Sequence, residues 1–438
     1  MSARGMTHVG MRSAELLAER DRYVAACVAT SPVFVERAHG ARLWDVDGRE
    51  YIDFAGGIGS LNGGHTPPDV IAAIHDQADR YLHIGYSVAQ YEPYIQVCKR
   101  LVACHPGPGP YKAVLVNSGV EAVELAVKVA RAASGRPGVI CFDQAFHGRT
   151  LLGATLSYKA RPYKRTFGPL APGVYRAAAP YPYRGVGVED SLLSIRRLLL
   201  GEVDPAEVAA VIYEPVQGEG GFLPAPPDFL PQLQDLCREH GILLIADEIQ
   251  SGMCRTGLPA ATMHYEGVEP DIVAWGKSMG GGMPVAGVTG RAQLMDAVHQ
   301  GGLASGTFGG NPVSCAASIV ALDQVLDPGY QDHAQRFGDD LRAALEGLAR
   351  EFSQVGEVRG LGAMLALELI TDPATKAPAT RIAERTAVQA RERGLIVKTC
   401  GTYGNVIRIL VPLVATPRDV EEGLAILTGA LRDCVTTE

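Results

Sequence analysis

No CxxC pair occurs in this chain, although it carries nine cysteines, an odd number scattered from Cys27 to Cys434. That spacing argues against a zinc site and against a disulfide framework. It is the usage expected of reduced thiols in a cytosolic protein. No run of about 18 apolar residues appears, the length a membrane-spanning helix needs. The opening MSARGMTHVGMRSAELLAERD lacks the apolar centre of a signal peptide. A basic stripe is also missing, and the formal net charge is -8, so nucleic acid is not an expected partner. No GxGxxG follows an early strand, which argues against a nucleotide-binding dehydrogenase. Neither internal repeats nor a low-complexity linker interrupt the chain. What remains is a soluble, cytoplasmic protein that acts on small molecules, with no metal site.

The residues that are present fill in that outline. The 438 residues are 47% hydrophobic and 20% charged, enough for a sizeable core and for two or three domains. Glycine is abundant, at 51 residues, which favours tight turns and close approach of backbone to ligand. Near the N-terminus, Arg42–Val46 and Glu50–Phe54 flank Asp47-Gly48 as a hairpin. A helix is predicted from Pro68 to Tyr81. From Tyr111 onward, short apolar runs alternate with helical patterns. Lys112–Asn117, Gly138–Phe142, Val208–Val216, Ile242–Glu248 and Asp271–Trp275 read as strands. The stretch after Asn117 places Val123, Ala126, Val127 and Ala130 on one helical face, with Glu124 and Lys128 able to pair at i, i+4. Another helix closes at Gly241. This alternation predicts an α/β fold with a mostly parallel sheet covered on both faces. After Asp327 a long helix, two strand-like runs and a final helix form a separate α+β unit, expected to pack with the N-terminal hairpin. The expected organisation is an N-terminal segment (1–66), a large domain (67–326) and a C-terminal small domain (327–438).

In open α/β sheets, ligands bind at the carboxyl ends of the strands. Three sets of residues stand there. Ser118-Gly119-Val120 joins a strand to a helix N-terminus, where free N–H groups and the helix dipole favour a phosphate; the alternative is an ordinary helix cap. Asp247 and Glu248 end an apolar strand, where a carboxylate must be paired or hydrogen-bonded. One partner is the protonated ring nitrogen of a cofactor; the alternative is a structural ion pair with Arg255. Lys277 follows the next strand in DIVAWGKSMGGG. A lysine in a partly dry pocket has a lowered pKa and can act as an amine nucleophile; the alternative is an exposed loop lysine. Together, a phosphate-ready helix start, a buried carboxylate and a strand-end lysine are the three handles of pyridoxal 5'-phosphate.

With these residues in hand, the sequence resembles the class III (subgroup II) pyridoxal-phosphate aminotransferases of the type I fold, and within them the 4-aminobutyrate aminotransferases. The resemblance runs from RLWDVDGREYIDFAGGIGSLNGGH through NSGVEAVELAVKVARAA, FHGRT, YEPVQGEGGF, LLIADEIQSGMCRTG, GKSMGGGMPVAG, GTFGGNPVSCAAS and VRGLGAMLALEL to NVIRILVPL. It implies that Lys277 binds the cofactor's aldehyde carbon and moves the proton, while Asp247 keeps the ring nitrogen protonated. It places Gln250 on the ring hydroxyl, Phe146 on the ring face beside His147, and Ser118, Gly119 and Val120 at the phosphate. Thr307 would reach the phosphate of a neighbouring subunit, so a homodimer or homotetramer is implied. For the substrate, the resemblance assigns Arg149 to a distal carboxylate and Arg408 to the α-carboxylate of 2-oxoglutarate or glutamate. Glu219 would neutralise Arg408 when an ω-amino acid is bound, and Ile58 and Glu214 would complete the pocket.

The sequence departs from the family pattern in three places. Val120 stands where a small or hydroxyl residue is usual, Ser60 is expected to widen or polarise the pocket, and Gly85–Pro93 replaces a stretch near the substrate. The implied reaction is ping-pong transfer of an amino group from an ω-amino acid, foremost 4-aminobutyrate, to 2-oxoglutarate. 5-Aminovalerate, β-alanine or a biosynthetic intermediate are alternative donors. A racemase or epimerase, a decarboxylating enzyme on the same scaffold and an inactive binding protein are the rival classes. Intact Lys277 and Asp247 argue against the last.

Overall fold

The computed structural model describes residues 10–297 and 306–436. Its centre is a seven-stranded sheet. The order across it is Tyr111–Val116, Ala286–Arg291, Ile272–Trp275, Leu243–Asp247, Val208–Tyr213, Gly138–Phe142 and Val174–Ala177. Adjacent strands are parallel except Ala286–Arg291, which runs antiparallel to both neighbours. All six residues of Val208–Tyr213 are buried. Such a run without polar alternation is what a strand covered on both faces requires.

One cover is the helix Gly119–Ser134. Its Val123, Ala126, Val127 and Ala130 are fully buried and pack on Ile212, Ile245 and Ala274. A reciprocal box of Ser118 and Glu121 starts this helix, and Gly135 ends it in the left-handed conformation, where glycine carries no Cβ penalty. The other face packs on a larger cluster that includes Leu230, Leu233 and Trp275.

Outside this sheet, the hairpin strands Arg42–Asp45 and Glu50–Asp53 lie in a four-stranded sheet completed by Leu395–Ile396, which pairs parallel to Glu50–Asp53. Phe54 shares a core with Leu365, Ile407 and Leu427. The N-terminal hairpin is thus built into the C-terminal elements. A further sheet contains Val355–Leu361, Met364–Asp372, Val406–Ile409 and Lys398–Cys400. It carries Arg408 toward the main sheet.

Several sequence expectations need adjustment. The run read as one strand over Val208–Val216 ends at Tyr213; a short pair, Val216–Gln217 with Leu223–Pro224, follows. Glu214 sits at the break, where its carboxylate accepts the backbone N–H groups of Phe146 and Gly218, so the chain turns instead of continuing a ladder. The strand Ala286–Arg291 and the helix Met11–Tyr23 were not anticipated. The first has two glycines in six residues, a weak strand signal. Among the described residues, no helix is long and apolar enough to cross a membrane, and no group of three His, Cys, Asp or Glu is arranged to hold a metal ion.

Candidate active site

The carboxyl ends of the parallel strands open on one cleft of about 340 Å³, lined by Ile58, Gly119, Val120, Phe146, Arg149, Glu214, Glu219, Asp247, Gln250 and Lys277 among others. Lys277 enters it from the turn after Ile272–Trp275, with φ of 49°. A side chain in this left-handed region is strained, and such residues cluster at functional sites. Burial lowers the Lys277 pKa, while Asp247, Glu219 and Glu214 pull it back upward. The lysine therefore sits half-buried in a carboxylate-lined cleft and not on a solvated loop.

Asp247 ends the neighbouring strand and is 5% exposed. Its Oδ2 lies 2.7 Å from His147 Nδ1, and its Oδ1 accepts the Ile249 N–H at 3.1 Å. The alternative of an ion pair with Arg255 does not hold. Arg255 is fully buried on the other side of the turn and donates to Asn62 Oδ1 and to the carbonyls of Ala363 and Val411. Gln250 is held by a bond from Nε2 to the Ile58 carbonyl at 3.1 Å. Gly218 has to be glycine for this: a Cβ there would lie 1.7 Å from Gln250 Oε1.

The helix start is ready for an anion. Ser118 Oγ accepts the Glu121 N–H, whereas the first-turn N–H groups of Gly119 and Val120 have no acceptor within the helix. Val120, the departure noted in the sequence, is fitted by two glycines. A Cβ on Gly148 would lie 2.2 Å from Val120 Cγ2, and one on Gly153 would lie 2.7 Å from it. Ser60 does not polarise this cleft. Its hydroxyl donates to the Gly57 carbonyl at 2.9 Å and lines a separate small cavity beside Asn62. It closes the left-handed turn Gly56–Gly59, in which Ile58 has φ of 63°.

The two arginines differ. Arg408 is 5% exposed, and its Nη1 lies 2.5 Å from Glu219 Oε1. Burial pushes the Glu219 carboxyl up, but the charge and hydrogen bond of Arg408 outweigh it and hold its pKa below the ordinary value. Arg408 Nε is buried without a partner among the described residues, so the guanidinium keeps donors in reserve. Arg149 is exposed and stands over the ring of Tyr163, 5.3 Å from its centroid. Glu214 is driven up to about 7 by burial, opposed by His147 and reinforced by Asp247. Thr307 is exposed in a turn and does not line this cleft.

Sequence reasoning missed Tyr163 and Lys159. Tyr163 packs 4.9 Å from the ring of Phe146, and its hydroxyl lies 3.4 Å from Glu219 Oε2. Lys159 donates to the Gly401 carbonyl. Their segment, SYKARPYKRTFGP, shows neither helical nor strand periodicity, so the sequence carries no signal for where they point.

Comparison with known proteins agrees with the geometry. The family model of class-III aminotransferases matches residues 23–431. The chain is 46% identical to the 5-aminovalerate aminotransferase of Pseudomonas aeruginosa, covering 90% of this chain and 92% of that one. It is 44% identical to the 4-aminobutyrate aminotransferase of Escherichia coli, covering 94% and 97%. Among solved structures, the ornithine aminotransferase of Toxoplasma gondii superposes with a TM-score of 0.84 at 31% identity over 97% of this chain and 95% of that one. A Bacillus anthracis aminotransferase gives 0.89 at 26% identity over 97% and 100%. An amine, a buried carboxylate and a helix start with free first-turn N–H groups around one cleft are thus the local expression of a wider identity: the chain belongs to the class-III aminotransferases.

Proposed function

We propose that this enzyme moves the amino group of an ω-amino acid bearing a distal carboxylate, 4-aminobutyrate or 5-aminovalerate, to 2-oxoglutarate. We further propose that it works with pyridoxal 5'-phosphate, in the cytoplasm, as a homodimer or homotetramer. The observation that carries the substrate reading is the buried ion pair of Arg408 with Glu219, a glutamate that lines the same cleft as Lys277 and Arg149.

The donor set suits this cofactor. Lys277 would hold its aldehyde carbon, Asp247 its ring nitrogen and Gln250 its ring hydroxyl. Gly119 and Val120 would take the phosphate, with Ser118 capping their helix, and Phe146 would lie on the ring face. Thr307 would serve the phosphate of a second copy of the chain. When bound, the cofactor supplies a carbonyl that captures amines and a protonated ring that withdraws electrons from the substrate carbon.

The chain's own residues do the rest. Burial lowers the Lys277 pKa, so its released amine can take a proton from the substrate carbon and return it. His147 fixes the Asp247 carboxylate through the 2.7 Å contact. Glu214 ties the Phe146 and Gly218 backbones together through its two oxygens, which sets the ring platform and the Glu219 turn in one frame.

Substrate choice follows from charge. An ω-amino acid has no carboxylate next to its reacting carbon, so an unpaired Arg408 would face an apolar stretch, a costly arrangement. Glu219 removes that cost. Glutamate and 2-oxoglutarate bring an α-carboxylate that competes with Glu219 for the planar fork of Arg408, whose Nε is still unpaired. Arg149, at the open side of the cleft, receives the distal carboxylate in both half-reactions. The test is a panel of amino donors offered with 2-oxoglutarate and scored by glutamate formed. Terminal-carboxylate ω-amino acids should lead the panel; preference for amines without any carboxylate would overturn the reading.

A further inference from the structure

Exchange between the two substrates leaves one charge to be accommodated. This inference rests on the proposed function, in which an α-carboxylate displaces Glu219 from Arg408. The Glu219 carboxylate is mostly buried and ionised, with its pKa below the ordinary value because Arg408 outweighs burial. Once displaced, it cannot be left without a donor, since an unpaired buried charge is strongly unfavourable.

The structure offers a donor on the side of its second oxygen. Glu219 Oε1 is committed to Arg408 at 2.5 Å, whereas Oε2 lies 3.4 Å from the Tyr163 hydroxyl. That contact is long for an O–H···O bond, so it contributes little while the ion pair stands and can shorten when the pair opens. Tyr163 is 8% exposed, and Glu219 is its hydroxyl's one hydrogen-bond partner among the described residues. Burial and the neighbouring Glu219 push the phenol up to about 12, so it remains a donor.

A second donor sits on the same segment. Lys159 Nζ bonds the Gly401 carbonyl, and the Gly401 N–H in turn bonds the Glu219 carbonyl at 3.1 Å. An ammonium is therefore anchored one residue's backbone away from the glutamate. Among the described residues no hydrogen bond joins either residue to Lys277 or Asp247, although Tyr163 packs against Phe146.

We propose that Tyr163 and Lys159 form the receiving site for Glu219, holding its carboxylate when an α-carboxylate substrate occupies Arg408. They are positioning residues that act through Glu219. Tyr163 carries a second duty, because its ring lies under the Arg149 guanidinium, so the same side chain borders both carboxylate-binding arginines.

The test measures each half-reaction of the cofactor-loaded enzyme separately, with 4-aminobutyrate or 5-aminovalerate for one and glutamate for the other. Tyr163→Phe keeps the ring under Arg149 and removes only the hydroxyl. It should slow the glutamate half-reaction by about 10-fold, the lower range for one hydrogen bond to a charge, and leave the ω-amino half-reaction within about 2-fold. Adding Lys159→Met, which keeps most of the stem, should deepen the glutamate defect to about 10²-fold. In a Glu219→Gln background there is no charge to receive, so Tyr163→Phe should have no further effect. Equal slowing of both half-reactions, or an undiminished Tyr163 effect without Glu219, would overturn the inference. Wild-type enzyme that turns over neither substrate would instead sink the proposed function and this inference with it.

Discussion

Glu248 accepts four hydrogen bonds inside the packed wall behind the sheet, whereas Asp247, one residue earlier, accepts two and faces the cleft. The donors to Glu248 are Ser251 Oγ, the N–H groups of Ala261 and Thr262, and Thr262 Oγ1, at 2.7 to 3.0 Å. Those to Asp247 are His147 Nδ1 and the Ile249 N–H. The same contrast separates the arginines. Arg255 is fully buried and held by neutral acceptors on every side, so burial alone depresses it to about 10. Arg408 is paired with one carboxylate, that of Glu219, and keeps an Nε without a partner among the described residues. Burial of charge is therefore common to scaffold and site. What distinguishes the site is unspent hydrogen-bonding capacity aimed into a cleft.

The largest effect is expected where capacity meets chemistry. Lys277→Ala should abolish amino transfer, by about 10⁴-fold or more, with the fold retained. Borohydride reduction of the wild type should trap the cofactor on the peptide carrying Lys277, as read by mass spectrometry. A fully active Lys277→Ala protein would remove the cleft from the account.

The arginines sharpen the comparison next. Arg408→Ala should slow the glutamate half-reaction by about 10²-fold and the ω-amino half-reaction far less. Arg149→Ala should weaken both, and Glu219→Gln should selectively damage the ω-amino side. Stopped-flow measurement of each half-reaction separates these patterns. Indifference of both half-reactions to Arg149→Ala would move the distal carboxylate elsewhere.

Smaller effects belong to the frame. Gly148 has φ of 119° and meets Val120 at once if given a Cβ, so Gly148→Ala should cost about 1–3 kcal/mol of stability, seen in urea unfolding. Ser60→Ala loses only the bond to the Gly57 carbonyl and should leave both half-reactions within about 2-fold. A large substrate change there would restore the polarising role the structure denies it.

Much of this architecture was legible in the sequence because its signals are local. The helix Gly119–Ser134 follows from its apolar spacing, and the strand-end positions of Asp247 and Lys277 follow from the apolar runs before them. Tyr163, Lys159 and the antiparallel strand Ala286–Arg291 were not legible. The first two reach Glu219 from an aperiodic segment, and their placement depends on contacts as distant as Gly401. The strand is glycine-rich and earns its place from its neighbours' ladders. The apolar run before them does not separate the two adjacent carboxylates; the family resemblance pointed to Asp247, and the tertiary contacts that separate them are Thr262 on Glu248 and His147 on Asp247.

That pair also provides the most direct test. Asp247→Asn and Glu248→Gln are equally conservative changes one residue apart. Single-turnover amino transfer at saturating cofactor, measured on the folded fraction of each, separates site from scaffold. Asp247→Asn should lose roughly 10²-fold, equivalent to about 2.7 kcal/mol in barrier, with stability of the cofactor-free protein little changed. Glu248→Gln should keep its rate per folded molecule while losing about 1–3 kcal/mol of stability, because its amide turns a donor toward a backbone N–H. An unchanged rate in Asp247→Asn, or a rate collapse without destabilisation in Glu248→Gln, would contradict the account.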